Sequence, residues 1–236
     1  MVKKEEMIVA LDVPRLGEAE RLVRRLAPVV GTFKIGMELF SAEGPRAVRM
    51  IHSHKARVFL DLKFHDIPNT VGSACAAAAR LGVFMLNIHA SGGKNMMLEA
   101  RRCLREAAAK KKIKPPILLS VTVLTSLTDG DLREVGIAKK TGRQVKDLAV
   151  LSKESGLDGV VASACEIPII RKAVRKPFLI VTPGARPAWA AKNDQKRVTT
   201  PKEALDLGAD FIVVGRPITR SADPREAAER ILDEMC

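Results

Sequence analysis

The segment Asp61-Leu62-Lys63-Phe64-His65-Asp66 sets a lysine between two carboxylates on a short stretch of chain. On an extended strand side chains alternate, so Asp61 and Lys63 share a face with Phe59 behind them, while Leu60 and Leu62 face the other way. Opposite charges aimed into an interior are costly unless they pair or meet a ligand. Asp66, just past the strand, brings a second carboxylate within potential reach of Lys63. A lysine held between acids stays charged, which suits it to donate a proton or stabilise a developing anion and not to form a Schiff base. The plainer alternative is a buried salt bridge that fixes the strand end.

Other segments offer further polar groups. Lys34 ends the run Phe33-Lys34-Ile35 and, with Asp12 from the preceding run, forms a candidate charged network or a grip on a sugar hydroxyl. His89 ends another apolar run and reads first as a satisfied structural histidine. His52 and His54 have no cysteine or carboxylate at ligand spacing and read as surface residues, not metal ligands. TPGARP (182–187) and FIVVGRPITRSADP (211–224) each combine a glycine with an arginine. Gly184 and Gly215 allow close backbone approach to an anion, and Arg186 and Arg216 offer forked contacts, so the two loops together read as a phosphate site.

These residues need a scaffold that gathers them. Apolar, β-branched runs recur at 7–12, 32–37, 57–63, 83–90, 116–123, 158–164, 178–183 and 210–215. Their starts stand 20 to 42 residues apart, room for one strand–helix unit each. Amphipathic or Ala-rich stretches follow them, as at 17–27, 71–82 and 223–235. Eight such units without a Gly/Ser-rich linker predict an α/β chain folded as one (β/α)8 TIM barrel over residues 1–236, in preference to a doubly wound open sheet. The polar residues, Thr122 and Thr182 among them, fall at the C-terminal ends of the runs, where barrels carry their active sites. With one Trp, no Tyr and seven Phe in 236 residues, the core must be aliphatic.

Lys and Arg exceed Asp and Glu by 13. The excess sits in clusters such as Lys110–Lys112 with Lys114, Lys139–Lys140, Arg171–Lys176 and Lys192–Arg197. They lack interleaved aromatics and form no single stripe, which favours a solvated basic surface over a nucleic-acid-binding face. Such a surface still steers anionic substrates. No apolar run reaches the length of a membrane span, and the N-terminus lacks a signal-peptide core, so a cytoplasmic protein without membrane contact is expected. Cys75, Cys103, Cys165 and Cys236 lie far apart with no CxxC pair, and read as buried reduced thiols.

DLKFHDIPNT (61–70) resembles the signature Asp-x-Lys-x-x-Asp-Ile-Pro-Asn-Thr of the orotidine 5′-phosphate decarboxylase family. The resemblance extends through ALDV (10–13), FKIGMELF (33–40), NIHASGG (87–93), VTVLTSL (121–127), LDGVVASA (157–164), VTPGARP (181–187), DQKRVTTP (194–201) and VVGRPIT (213–219). It implies a cofactor-free, metal-free carboxy-lyase of pyrimidine biosynthesis acting as a homodimer with shared active sites. By the same resemblance Lys63 would protonate carbon 6 of the pyrimidine, and Asp61 would lie against the departing carboxylate. Asp66 and Thr70 would come from the partner subunit. Asp12 and Lys34 would meet the ribose, and Thr125 the pyrimidine edge. Arg186, Gln195, Gly215 and Arg216 would hold the phosphate. AWAAKN (188–193) departs from the family's phosphate loop, where a glycine is expected near Trp189.

Two other readings compete. Magnesium-dependent sugar-phosphate decarboxylases and aldolases share Asp-x-Lys-x-x-Asp on the same barrel, but the Ile67-Pro68-Asn69-Thr70 continuation and Thr125-Ser126 favour the nucleotide enzyme. A silent, basic, nucleic-acid-binding barrel gives no reason for Asp61, Lys63 and Asp66 to stand together.

Overall fold

The computed structural model describes residues 6–187, 189 and 199–235. Its eight strands are β1 (Met7–Ala10), β2 (Thr32–Ile35), β3 (Arg57–Phe64), β4 (Met85–His89), β5 (Ile117–Val121), β6 (Gly159–Val161), β7 (Leu179–Pro183) and β8 (Phe211–Val214). They pair in parallel in sequence order, and β1 closes on β8. All eight apolar runs of the sequence thus become strands of one closed barrel.

The helices are α1 (Leu16–Leu26), α2 (Met37–Glu43), α3 (Pro45–Ser53), α4 (Pro68–Arg80), α5 (Gly93–Lys110), α6 (Asp129–Glu134), α7 (Thr141–Glu154), α8 (Ile167–Ala173), α9 (Pro201–Asp206), α10 (Arg216–Thr219) and α11 (Pro224–Glu234). α1 illustrates why they form: Ala19, Val23 and Leu26 recur at helical spacing and are buried, with Glu18 in the first turn and Arg24 and Arg25 in the last, matching the helix dipole. Starts are marked chemically as well. Thr128 with Asp131 and Thr200 with Glu203 form capping boxes on α6 and α9, and Asp223 accepts the Arg225 and Glu226 N–H groups at the head of α11.

Alternation along the strands builds two cores. Ile8, Phe59, Met85, Leu119, Val121, Val161, Val181 and Val213 fill the barrel interior, and the second set packs against the helices. The aliphatic core expected from the composition is found, with Phe33, Phe59 and Phe178 the largest side chains inside it. At the N-terminal end Phe84 and Phe211 meet edge to face at 6.3 Å, under the Arg57 guanidinium, 4.2 Å from the Phe84 ring centre. That closes the barrel floor and leaves the C-terminal mouth as the open end.

Several sequence expectations need correction. Arg171 is not part of a solvated basic surface. Its guanidinium donates to the Gly208 and Phe178 carbonyls and to Asp210 Oδ2 at 2.6 Å, locking α8 to the start of β8. Cys75 is buried as expected, but Cys103 is partly buried and Cys165 is exposed, because each helix turns one side to solvent. Cys236 lies outside the described residues. His52 and His54 are both partly buried, not fully at the surface.

Candidate active site

β1, β2 and β3 deliver Asp12, Lys34 and Asp61 to the barrel mouth, where they form a chain of charges. Lys34 Nζ lies 3.0 Å from Asp12 Oδ1 and 3.3 Å from Asp61 Oδ2, and Lys63 Nζ lies 2.7 Å from Asp61 Oδ1. Carboxylate and ammonium therefore alternate through Asp12, Lys34, Asp61 and Lys63. Lys34 and Asp61 are each only 8% exposed. Burial alone would push the Lys34 ammonium down, but Asp61 and Asp12 outweigh it and raise its pKa above the usual lysine value. Burial would likewise push Asp61 up, and Lys34, Lys63 and the Asn87 amide outweigh it, holding the carboxyl below its usual value. Both groups stay charged in a place where charge is expensive.

Plain strand alternation does not by itself produce the Asp61–Lys63 contact. Leu60 pairs with Leu86 and Phe64 with Ile88, so β3 carries extra residues between points where β4 does not. Lys63 takes up the bulge with φ at 51°, a left-handed conformation that a lysine rarely adopts. Asn87, fully buried on β4, repairs the interrupted ladder. Its Oδ1 accepts the Lys63 backbone N–H at 2.8 Å, and its Nδ2 donates to Asp61 Oδ1 at 2.6 Å. Gly36 supplies room on the other side, since a Cβ there would stand 3.0 Å from both Asp12 Oδ1 and Lys34 Nζ.

The charged chain opens into a cavity of about 480 Å³ that is also lined by Arg186, Gly215 and Arg216. Arg186 is 5% exposed and follows β7 through Gly184, at φ 79°; Arg216 opens α10 directly after β8. One cavity is thus lined both by members of an alternating charge array, buried at Lys34 and Asp61, and by two arginines. It fits a ligand whose anionic group is held by guanidinium groups and whose reacting group is exposed to fixed charges.

A family model described as "Orotidine 5'-phosphate decarboxylase / HUMPS family" matches residues 5–231. The chain belongs to that family. It is 54% identical over its whole length to the orotidine 5′-phosphate decarboxylase of Moorella thermoacetica, covering 94% of that protein. The corresponding protein of Syntrophotalea carbinolica is 53% identical over 98% of this chain and 95% of its own. Among solved structures, orotidine 5′-phosphate decarboxylase from Lactobacillus acidophilus superposes with a TM-score of 0.86 at 38% identity, covering 98% of this chain and 99% of that one.

Within this family fold, the residues expected from sequence divide into groups. Asp12, Lys34, Asp61, Arg186, Gly215 and Arg216 line the cavity, and Lys63 joins them through Asp61. Thr125, partly buried after β5, does not line it. Asp66 makes no ion pair with Lys63 among the described residues. It is exposed, its Oδ1 accepts the Ile67 N–H at 2.6 Å, and the whole stretch 65–70, Thr70 included, faces outward. The expectation that Asp66 reaches Lys63 within one chain is therefore not met, because the backbone leaves the mouth at Phe64. Gln195 and most of AWAAKN lie outside the described residues.

Thr122 and Thr182 do not serve the mouth. Thr122 donates to the Val161 carbonyl at 3.2 Å, and Thr182 follows the inward-facing Val181 and so turns toward the helices. His89 stands beside His65, ring centres 5.3 Å apart, and burial, His65 and Lys63 hold it below the usual histidine pKa. Sequence reasoning missed Asn87, Glu38 and Arg220. Asn87 carried a signal, an amide at an inward-facing position of an otherwise apolar run. Glu38 and Arg220 sit on helical turns and line the cavity only through the fold.

Proposed function

We propose that this chain catalyses the cofactor-independent decarboxylation of orotidine 5′-monophosphate to uridine 5′-monophosphate, the last step of de novo pyrimidine nucleotide synthesis. The observation that carries the reading is the alternating array Asp12–Lys34–Asp61–Lys63, three of whose members line the same cavity as Arg186 and Arg216. Relatives that are half identical over the full length and bear this enzyme's name support it.

In this mechanism the bond from carbon 6 to the carboxylate breaks, CO2 leaves, and the electron pair stays on carbon 6. The Lys63 ammonium stabilises that pair and then donates its proton to it. Moving negative charge toward an ammonium at about 4 Å is worth about 4 kcal/mol at an effective dielectric near 20. Asp61 faces the substrate carboxylate and is fixed by Lys34 and Asn87, so it cannot swing aside as the substrate enters. Its larger effect is to hold Lys63 in place, since the positioned charge acts without reorganisation. Asp12 and Lys34 bind ribose hydroxyls, and Thr125, outside the cavity lining, would reach the pyrimidine edge only by movement of the segment after β5. Arg186, Gln195, Gly215 and Arg216 bind the phosphate, whose remote binding energy is spent at the reacting carbon.

The working unit in this reading is a cytoplasmic homodimer in which Asp66 and Thr70 enter the partner's site. The outward-facing 65–70 segment supports it, as does Ile67 at 66% exposed, an apolar side chain that a second subunit would cover. The test is loss of orotidine 5′-phosphate absorbance in the presence of a metal chelator. Turnover unaffected by chelator is expected. Turnover abolished by chelator and restored by magnesium would favour the sugar-phosphate lyases of the same barrel.

A further inference from the structure

His89 ends β4 in a position that the reaction scheme does not use. Met85, Asn87 and His89 share one face of the strand by alternation, with Met85 in the barrel interior and Asn87 bound to the Lys63 N–H and the Asp61 carboxylate. His89 therefore stands two residues beyond the amide that holds the β3 bulge, at the rim of the mouth. It is half-buried and is not part of the cavity lining, so it is not placed to touch the substrate.

Its ring instead meets His65, the first residue after β3. The two ring centres are 5.3 Å apart and the planes are tilted by 34°, within the range that aromatic pairs favour. His65 also lies close to the turn before α5, where a Cβ on Gly92 would stand 3.2 Å from His65 Cδ2 and would run into Met96. Residues 65–70 are all exposed, and the side-chain bond made there, from the Ile67 N–H to Asp66 Oδ1, stays within the segment. Among the described residues, no hydrogen bond or ion pair from the side chains of 65–70 reaches the rest of the barrel. The direction of the segment thus depends on the ring that receives His65.

The groups acting on His89 are Lys63 and Asp61 from β3 and His65 from the segment that follows. Burial, His65 and Lys63 hold it below the usual histidine pKa, against a smaller opposing effect of Asp61. The ring is neutral near pH 7, and two imidazoles this close stay in contact because they are not both cations.

We propose that His89 is a positioning residue for the decarboxylation: its ring seats His65 and so fixes the direction in which Asp66 and Thr70 leave the chain toward a second subunit. The proposal rests on the reading under Proposed function that these two residues act in the partner's site. His89 of one chain then serves the reaction in the other.

The experiment places His89→Ala in one or the other chain of a complementing pair. Lys63→Ala chains, which keep Asp66, are mixed with Asp66→Ala chains, which keep Lys63, so that a mixed dimer holds one intact site. Added to the Lys63→Ala chain, which lends Asp66 to that site, His89→Ala should lower the recovered turnover about threefold to tenfold, the worth of one aromatic contact. Added to the Asp66→Ala chain, whose own 65–70 segment enters the dead site, it should leave the recovered turnover unchanged. His89→Phe keeps a flat ring and should restore turnover in the first placement, which a role for the histidine as acid or base would not allow. His65→Ala changes an exposed side chain and should reproduce the asymmetry, with thermal melting of each variant checking the fold. Equal losses in both placements, loss only in the second, no loss in either, or failure of His89→Phe to restore turnover would overturn the proposal. If the pair without any change at His89 recovers no turnover, with subunit exchange verified, the shared site itself falls and the proposal falls with it.

Discussion

The side-chain oxygen of Asn87 accepts the backbone N–H of Lys63 at 2.8 Å, at the point where β3 leaves its register with β4. The same amide donates to Asp61, so one buried residue fixes both the strained backbone of the lysine and the carboxylate beside its ammonium. The geometry of the Asp61–Lys63 pair is built into the sheet and does not depend on a loop. A lysine backbone in this sparsely populated conformation persists only where its surroundings over-determine it, and the Asn87 amide does so here.

Asn87→Ala should therefore affect stability and rate together. Removing an amide that serves a buried carboxylate and an unpaired N–H should cost about 2–3 kcal/mol, lowering the melting temperature by roughly 5–10 °C. Displacing Lys63 should lower kcat about tenfold to a hundredfold. Thermal melting and steady-state kinetics check this, and wild-type kcat in a destabilised variant would detach Asn87 from the chemistry.

Gly36→Ala separates binding from stability. The added Cβ meets only the ends of Asp12 and Lys34, at 3.0 Å, and these can move apart. KM for the nucleotide should rise about threefold to tenfold with the melting temperature nearly unchanged, since the lost contact is part-exposed at Asp12. A large fall in melting temperature would mean that the Asp12–Lys34 pair serves the fold instead.

The array should be insensitive to pH across the middle range. Asp61 has its pKa depressed in the folded chain, so its contribution is present above the usual 3.8 and disappears as pH falls through the lower folded value. Lys34 has its pKa raised, so its contribution is present below 10.5 and disappears as pH rises through the higher folded value. The stability difference between wild type and Asp61→Asn should stay constant from about pH 5 to about pH 9 and change only outside that window. Denaturant melts at several pH values measure it, and a slope near neutrality would contradict the charged state assigned to the pair.

Arg216→Ala should weaken substrates that carry the phosphate by roughly 30-fold in kcat/KM, the worth of about 2 kcal/mol of charge-assisted contact. The phosphate-free nucleoside should be nearly unaffected. Equal losses for both would remove Arg216 from the phosphate site.

The barrel was legible because eight β-branched runs recur at the spacing of strand–helix units, and each became a strand. Asp12, Lys34, Asp61 and the two arginines were legible because a strand end fixes where its next side chain points. The bulge at Lys63 was not, since register is a property of two strands and β3 shows no local mark of it. For the same reason Asn87 passed unnoticed: its value lies in what β3 lacks. Thr122 and Thr182 were misread because position at a strand end was weighed without facing parity. The place of Asp66 depends on where the chain turns after Phe64, which composition does not encode.

Shared sites can be tested by mixing subunits. Lys63→Ala and Asp66→Ala chains, each inactive alone, should regain about a quarter of wild-type activity when randomly mixed, because half of the dimers are mixed and each holds one intact site. No recovery, with exchange verified, would place Asp66 in its own chain's site or outside the chemistry.

The central claim is that Lys63, held by Asp61 and Asn87, supplies both the stabilising charge and the proton at carbon 6. Its most direct measurement is turnover of orotidine 5′-phosphate by Lys63→Ala alongside calorimetric binding of uridine 5′-monophosphate. Turnover should fall by about a thousandfold or more, with product affinity within about tenfold of wild type. Substantial retained turnover, in a variant that binds the nucleotide normally, would contradict the account.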